Sequence, residues 1–164
     1  YMAAQLILGN MDWPDQNVRY WRWTGVADTV PGPHDGRWHM MMGDSDMGLG
    51  YSAPVTTDPF AHVERHNGPI ARLFKAMMRS DGLRERMLAE VERLLAGPLS
   101  TGGMLTVIDE ARAQLAPEMA DHVARWRKPA TVPEWERHVE VLRTFARDRP
   151  AAMHAYAATH LSVH

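Results

Sequence analysis

Cysteine is absent from this chain of 164 residues, basic residues are not in excess, and no long apolar run occurs. Without cysteine the chain cannot form disulfide bonds, use a thiolate nucleophile or bind zinc through sulfur. The formal net charge is -2, whereas a nucleic-acid-binding protein usually carries a strong basic excess, so we expect no nucleic-acid partner. No apolar run approaches the roughly 18 residues that a membrane-spanning helix needs, so we expect no membrane span.

The residues that are present have the composition of a folded domain. Hydrophobic residues make up 45% and charged residues 23% of the chain, which is long enough for one domain with a buried core. The chain begins with Tyr1 rather than methionine, and residues 2–8 already have the pattern of a helix that ends at Gly9. We therefore expect residues 1–164 to form a single domain that is a fragment of a larger protein.

Two segments, 18–24 and 36–46, are rich in aromatic and apolar residues, and residues 25–36 between their apolar parts contain three glycines and two prolines. This pattern predicts a β-hairpin with a long tip. If Trp23 faces Trp38, the other pairs follow, because paired positions in an antiparallel ladder keep a constant sum of residue numbers.

The predicted register brings two polar loops together. It places Asn17, before the first strand, beside Asp44, after the second strand. It also gives the hairpin one mainly apolar face. Tryptophans that alternate on a strand are usually packing residues, so we expect Trp21, Trp23 and Trp38 to lie in the core.

After the hairpin, apolar residues recur at helical spacing. The pattern predicts about five helices, within residues 69–80, 81–96, 104–115, 117–126 and 131–149. Thr131 and Glu134 form a capping box at the start of the last helix, and we expect Pro150 to end it. The sequence therefore predicts an α+β fold that is mostly helical, with a site in residues 1–50 and a helical part in residues 51–164.

The loop "GNMDWPDQN" places Asp12 five residues before Asn17. This D-x-x-x-x-N spacing is the one with which a kinase-type catalytic loop offers a carboxylate to the attacking hydroxyl and an amide oxygen to a metal ion. Such chemistry also needs a downstream acidic group, which Asp44 and Asp46 supply directly after the second strand. Because Mg²⁺ prefers carboxylate and amide oxygens, these four residues predict a site for Mg²⁺ and a nucleotide.

The same motifs extend into longer segments, which are "GNMDWPDQNVRYWR", "DGRWHMMMGDSDMGLG", "PEMADHVARW" and "WERHVEVLRTFARDRP". In these segments the sequence resembles the CotH-type kinases, atypical protein kinases first associated with bacterial spore coats. The resemblance implies the carboxy-terminal lobe of a protein kinase, in which a β-hairpin carries the catalytic loop and the metal loop.

The resemblance also implies an activity and a set of site residues. The activity is ATP- and Mg²⁺-dependent phosphoryl transfer to a protein hydroxyl, with Asp12 as the catalytic aspartate. Asn17, together with Asp44 or Asp46, would bind Mg²⁺ and so hold the nucleotide. The family resemblance further favours a location at the cell surface, in the spore coat or outside the cell.

The sequence departs from ordinary protein kinases in its amino-terminal part. Asn10 and Met11 stand where those kinases have histidine and arginine, and no glycine-rich loop or lysine–glutamate pair for the phosphates is evident. These parts would belong to an amino-terminal lobe that precedes Tyr1. We therefore expect residues 1–164 alone to show little ATP hydrolysis or autophosphorylation.

Two other functions are compatible with some of these residues. Asp44 and Asp46 could form the D-x-D motif of a metal-dependent glycosyltransferase that binds a nucleotide sugar, although D-x-x-x-x-N would then be unexplained. The chain could also be a surface or coat interaction domain that keeps a kinase-like shape without catalysis. Binding of ATP, of a sugar nucleotide or of neither would separate these functions.

Two histidines have the spacing of metal ligands without the rest of the motif. His62 and His66 lie four residues apart, as zinc ligands on one helix face would. Glu64 is in the middle position between them, whereas the known metalloprotease signatures place the glutamate next to a histidine. We therefore interpret both as ordinary surface or partly buried histidines.

Overall fold

The computed structural model of the protein describes residues 1–162. Its elements in chain order are α1 (Met2–Leu8), β1 (Arg19–Arg22), β2 (Trp38–Met41), α2 (Pro59–Glu64), α3 (Pro69–Met77), α4 (Asp81–Ala96), α5 (Thr101–Leu115), a 3₁₀ helix (Ala116–Glu118), α6 (Met119–Trp126) and α7 (Val132–Leu161). Helices contain 58% of the residues and strands 5%. This confirms a mostly helical α+β fold with one antiparallel pair of strands. Within the described residues, none of the helices is both long and apolar enough for a membrane crossing.

Two predicted helix ends are confirmed. α1 ends at Gly9, which has a left-handed backbone conformation with φ 61° and donates its N–H to the carbonyl of Leu6. α7 begins with the predicted cap, in which Thr131 Oγ1 accepts the N–H of Glu134 at 3.2 Å. The Glu134 carboxylate in turn accepts the N–H of Ala130 at 2.7 Å, so local capping signals fix both ends.

The β-hairpin forms, but the predicted register is wrong by one residue. Trp38 pairs with Arg22 rather than with Trp23. Trp23 instead belongs to the tip, where its indole N–H donates to a backbone carbonyl at 3.0 Å. The Asp35 carboxylate also organises the tip, because it accepts two backbone N–H groups and contacts His39 Nε2 at 2.9 Å. These hydrogen bonds in the tip set the point at which the strands begin to pair. The pairing rule used for the prediction does not include them.

The prediction that the hairpin tryptophans lie in the core is wrong. The exposed fractions of Trp21, Trp23 and Trp38 are 36%, 41% and 62%. The two strands form the whole sheet within the described residues, and their aromatic rings cover one another. Trp21 stacks on His39 with 4.9 Å between ring centroids, and Tyr20 meets Trp38 edge-on at 5.3 Å. Each ring therefore stays half open to solvent.

The largest hydrophobic cluster joins α1, α2, α3, α4 and the second half of α7. α4 contributes a stripe of buried residues at helical spacing, Met87, Val91, Leu94 and Leu95, as the sequence predicts. Trp13, from the loop after α1, is also part of this cluster and is 1% exposed. The core therefore reaches directly under the loop that contains Asp12.

The prediction that Pro150 ends the last helix is wrong, because Pro150 lies inside α7 and the helix continues to Leu161. A proline in a helix interior costs roughly 3 kcal/mol through a lost hydrogen bond and a steric clash. The turns that follow it bury Met153, Ala157 and Leu161 almost completely. Burying a large apolar side chain contributes about 1.5–3 kcal/mol, so core packing offsets the cost of the proline.

Candidate functional site

The turn between α1 and β1 brings Asp12 and Asn17 into direct contact. Asn17 Nδ2 donates to Asp12 Oδ2 at 3.2 Å. The backbone carbonyl of Asp12 accepts the N–H groups of Asp15 and Gln16 at 3.2 and 2.9 Å, which closes the turn. Asn17 has a φ of 55°, in the left-handed region that asparagine tolerates better than most residues. The five-residue spacing thus places a carboxylate and an amide side by side.

Asn10 fixes the backbone of Asp12 from inside the protein. Its Oδ1 accepts the N–H of Asp12 at 3.1 Å, and its Nδ2 donates to Gln5 Oε1 at 3.0 Å. Asn10 and Gln5 are 3% and 2% exposed, so this hydrogen-bonded polar pair lies inside the protein. Sequence reasoning missed this role. The signal that could have revealed it is the glutamine within the otherwise apolar helix α1.

Backbone hydrogen bonds join the Asp12 turn to the loop that contains Asp44 and Asp46. Leu49 N–H donates to the carbonyl of Leu8 at 2.8 Å, and Met11 N–H donates to the carbonyl of Met47 at 3.4 Å. The strand ladder ends before either loop begins. The two loops are therefore adjacent, but these loop-to-loop bonds hold them together rather than the predicted alignment of Asn17 with Asp44.

Gly48 allows this close approach. A Cβ atom at this position would lie 2.9 Å from the carbonyl oxygen of Leu8 and 3.1 Å from that of Ser45. Both neighbours are backbone atoms, which cannot move aside without disturbing α1 or the loop itself. The glycine that follows "DSDM" is therefore required by the contact between the two loops.

Asp44 and Asp46 lie in the exposed part of their loop. Asp44 has a left-handed φ of 50°, so the loop turns sharply at this residue. Within residues 1–162, no three side chains among histidine, aspartate and glutamate are close enough together to hold a metal ion. Mg²⁺ usually keeps several waters and takes one or two carboxylates plus phosphate oxygens. The oxygens of Asp12, Asn17 and the acidic loop fit such an open site in their chemistry.

Arg149 is a buried cation that sequence reasoning missed. It is 1% exposed, and its guanidinium donates four hydrogen bonds, all to backbone carbonyls. The acceptors are Leu6 (2.7 Å), Ile7 (2.9 Å), Val55 (2.8 Å) and Thr57 (3.1 Å). Burial lowers the pKa of Arg149 to about 10, so the side chain remains charged at neutral pH.

The bonds of Arg149 connect three parts of the site. They tie α7 to the end of α1, where the Asp12 turn begins, and to the segment that follows the acidic loop. In the sequence, Arg149 lies four residues before Met153 within the buried stripe of α7. A charged residue in an apolar stripe is the signal that could have marked it.

Two histidines near α2 contact the Asp12 turn. His62 Nε2–H donates to the carbonyl of Trp13 at 2.9 Å, and His66 Nδ1 lies 2.6 Å from Asp15 Oδ2. His62 is buried, with 7% exposed, so its interpretation as an ordinary surface or partly buried histidine understates its role. Burial lowers the pKa of His62 and favours the neutral ring at neutral pH.

A groove begins beside the acidic loop and lies against α7. One cavity of about 480 Å³ is lined by Asp46, Tyr51 and His138, among other residues. A second cavity of about 460 Å³ shares Gly50 and Val141 with the first, so the two are neighbours along the helix. The lining is mainly apolar and also includes the charged side chains of Asp46, Arg137 and Glu140.

Comparison with known proteins gives one match. No curated protein and no solved structure matches the chain. The family model described as "CotH kinase protein" matches residues 1–153, which is most of the chain and includes both loops of the site. The chain therefore belongs to the CotH kinase family.

Proposed function

We propose that this chain carries the catalytic and metal-binding loops of an atypical protein kinase, which transfers the γ-phosphoryl group of Mg-ATP to a protein hydroxyl. The observation that supports the proposal most directly is the Asp12–Asn17 hydrogen bond of 3.2 Å in a turn bonded to the acidic loop. Membership of the CotH kinase family supports a kinase-type function. The proposal goes beyond family membership in naming ATP as the nucleotide, Mg²⁺ as the metal and a protein hydroxyl as the acceptor.

In this proposal Asp12 is the catalytic carboxylate. Its Oδ2 accepts the amide of Asn17, and its backbone is held by Asn10, so the side chain has little freedom to turn away. A carboxylate fixed in this way would orient the acceptor hydroxyl and take its proton while the new O–P bond forms, the bond from the γ-phosphorus to the bridging oxygen breaks and ADP leaves. Phosphoryl transfer depends mainly on positioning and charge neutralisation, which a rigid turn provides.

Asn17 and the acidic loop are the proposed metal ligands. Because Asn17 Nδ2 donates to Asp12, its amide oxygen is the atom that could bind a cation. Asp44 or Asp46 would supply a carboxylate from the adjoining loop. Bound Mg²⁺ would neutralise the charge that builds up on the phosphate oxygens.

The groove along α7 supports a polypeptide as the acceptor. It is lined by Asp46 of the acidic loop and by the exposed apolar side chain of Val141. An extended chain could lie there while its hydroxyl reaches the Asp12 turn.

The test uses the natural protein that carries these residues, with Mg-[γ-³²P]ATP and with binding measured by calorimetry. We expect Asp12→Asn to lower transfer by about 10²–10⁴-fold, the usual size of a catalytic acid–base contribution, while Mg-ATP binding changes little. Asn17→Ala, and either Asp44→Asn or Asp46→Asn, should raise the Mg²⁺ concentration needed for half-maximal activity.

Asp121→Asn is the matched control, because it removes an exposed carboxylate on α6 that forms no part of the site. It should leave transfer and Mg²⁺ dependence unchanged. Full transfer by Asp12→Asn would refute the assignment. Binding of a sugar nucleotide in preference to Mg-ATP would favour a glycosyltransferase, and binding of neither would favour a non-catalytic role.

A further inference from the structure

The Asp12 turn is held from the core side through the carbonyl group of Trp13. His62 donates its Nε2–H to this carbonyl at 2.9 Å, and the two residues are 49 positions apart in the sequence. The Trp13 ring is 1% exposed and meets Phe74 of α3 edge-on at 5.9 Å between centroids. The residue directly after Asp12 is therefore fixed at both its side chain and its backbone.

A second contact holds the same turn through Asp15. Asp15 Oδ2 lies 2.6 Å from His66 Nδ1, just after the end of α2. The Asp15 carboxylate also lies against Gly68, where a Cβ atom would be 2.3 Å from Oδ1, so a larger residue at this position would displace the carboxylate. The rings of His62 and His66 also touch, with centroids 4.5 Å apart. Two adjacent rings thus hold the turn at two points.

We propose that His62 and His66 are positioning residues for the reaction of Asp12. The inference rests on the proposed phosphoryl transfer and adds two residues outside the D-x-x-x-x-N motif to it. Neither ring touches Asp12. Each acts through a neighbouring residue. His62 acts through the carbonyl of Trp13, and His66 acts through the carboxylate of Asp15. The backbone N–H of Asp15 in turn donates to the carbonyl of Asp12.

Positioning of this kind affects the rate of transfer more than it affects the affinity for the nucleotide. Asp44 and Asp46, the proposed carboxylate ligands of the metal, lie on the acidic loop, and backbone bonds that involve neither histidine anchor that loop. A misplacement of about 1 Å in a catalytic group can reduce a rate about 10²-fold. Loss of a histidine contact should therefore lower kcat while the Kd for Mg-ATP remains nearly unchanged.

The first experiment compares His62→Leu with His62→Gln in the natural protein. Leucine fills space but cannot donate, whereas the glutamine amide can donate to the Trp13 carbonyl. We expect His62→Leu to lower kcat at least about 10-fold, with less than a threefold change in Kd for Mg-ATP, and His62→Gln to recover most of kcat. Met119→Ala, a buried change on α6, tests whether destabilisation alone lowers kcat and should leave it unchanged.

The second experiment tests the Asp15 contact with a matched pair of glycine substitutions. Gly68→Ala should push the Asp15 carboxylate away from His66 and lower kcat. Gly82→Ala introduces the same methyl group where a Cβ atom meets nothing within 4 Å, and should leave kcat unchanged. The side-chain amide signals of Asn17 in an NMR spectrum, which report its bond to Asp12, should shift in Gly68→Ala but not in Gly82→Ala.

The outcomes separate the positioning proposal from the proposed function. If kcat and the Asn17 signals in His62→Leu and Gly68→Ala match those of the wild type, the positioning proposal is wrong even when the kinase proposal holds. If the wild type transfers no phosphate but the Asn17 signals respond as expected, the phosphoryl-transfer proposal fails while the mechanical link from the histidines to the turn stands.

Discussion

Replacing Arg149 with methionine should destabilise the protein through the site rather than through packing alone. Methionine is unbranched and replaces the apolar stem of arginine, but it has no group in place of the guanidinium. The change removes hydrogen bonds from a cation to the carbonyls of Leu6, Ile7, Val55 and Thr57. These carbonyls lie at the end of α1 and in the segment after the acidic loop, and those of α1 belong to Leu6 and Ile7, which are almost fully buried.

The size of the effect follows from two opposing contributions. A hydrogen bond to a charged group contributes about 1.5 kcal/mol at the low end of its range, so four such bonds contribute about 6 kcal/mol. Burial lowers the pKa of the guanidinium from its ordinary value to about 10, which corresponds to a cost of about 3 kcal/mol for keeping the group charged. The free energy of unfolding of Arg149→Met should therefore be about 3 kcal/mol lower than that of the wild type.

Urea unfolding followed by circular dichroism measures this difference. Arg147→Met is the matched control, because its guanidinium is half exposed and pairs with Glu140 on the surface. A surface pair contributes about 0–1 kcal/mol, so this variant should be close to the wild type. Arg149→Lys should recover only part of the loss, since one ammonium group has three donors and cannot reach four separated carbonyls. Equal stability of Arg149→Met and the wild type would refute the reasoning.

Three other changes follow from the structure. Gly48→Ala should lower the free energy of unfolding by about 1–3 kcal/mol, measured by urea titration, because its Cβ atom would meet the Leu8 carbonyl at 2.9 Å; an unchanged value would contradict the close contact of the loops. Burial lowers the pKa of His62 from its ordinary value of 6.5, so its contribution to stability is complete above pH 6.5 and is lost as the pH falls below it. Wild-type unfolding free energy should therefore decrease more between pH 7.5 and 5 than that of His62→Gln, as urea titrations at about these two pH values would show, and parallel curves would count against the buried ring. Pro150→Ala should raise the melting temperature, because alanine restores the missing N–H of α7 and removes a cost of roughly 3 kcal/mol; a lower melting temperature would mean that ring packing outweighs the backbone term.

Local patterns in the sequence were sufficient to predict those features of the fold that depend on residues close together in the chain. The left-handed Gly9 ends α1, the Thr131–Glu134 cap begins α7, and the 3.6-residue period of α4 selects its buried stripe. The contact of Asp12 with Asn17 also depends on one short turn, so the D-x-x-x-x-N spacing predicted their proximity. The family resemblance, read from the same short segments, is confirmed by the match to residues 1–153.

Other features were decided by contacts between distant residues. Trp38 pairs with Arg22 because hydrogen bonds in the hairpin tip set the register. The predicted pairing of Trp23 with Trp38 did not take these bonds into account. α7 continues past Pro150 because the following turns are buried against other helices, and this burial outweighs the local preference of proline.

The sequence by itself indicated the candidate residues Asp12, Asn17, Asp44 and Asp46, the two strands of the hairpin and a mostly helical remainder. Only the tertiary structure decided how the two loops meet and how His62 and Arg149 support them. The physical reason is that capping, turn formation and periodic burial depend on neighbours along the chain. A buried hydrogen bond such as Arg149 to Leu6 spans 143 positions, and its partner exists only once the chain has folded.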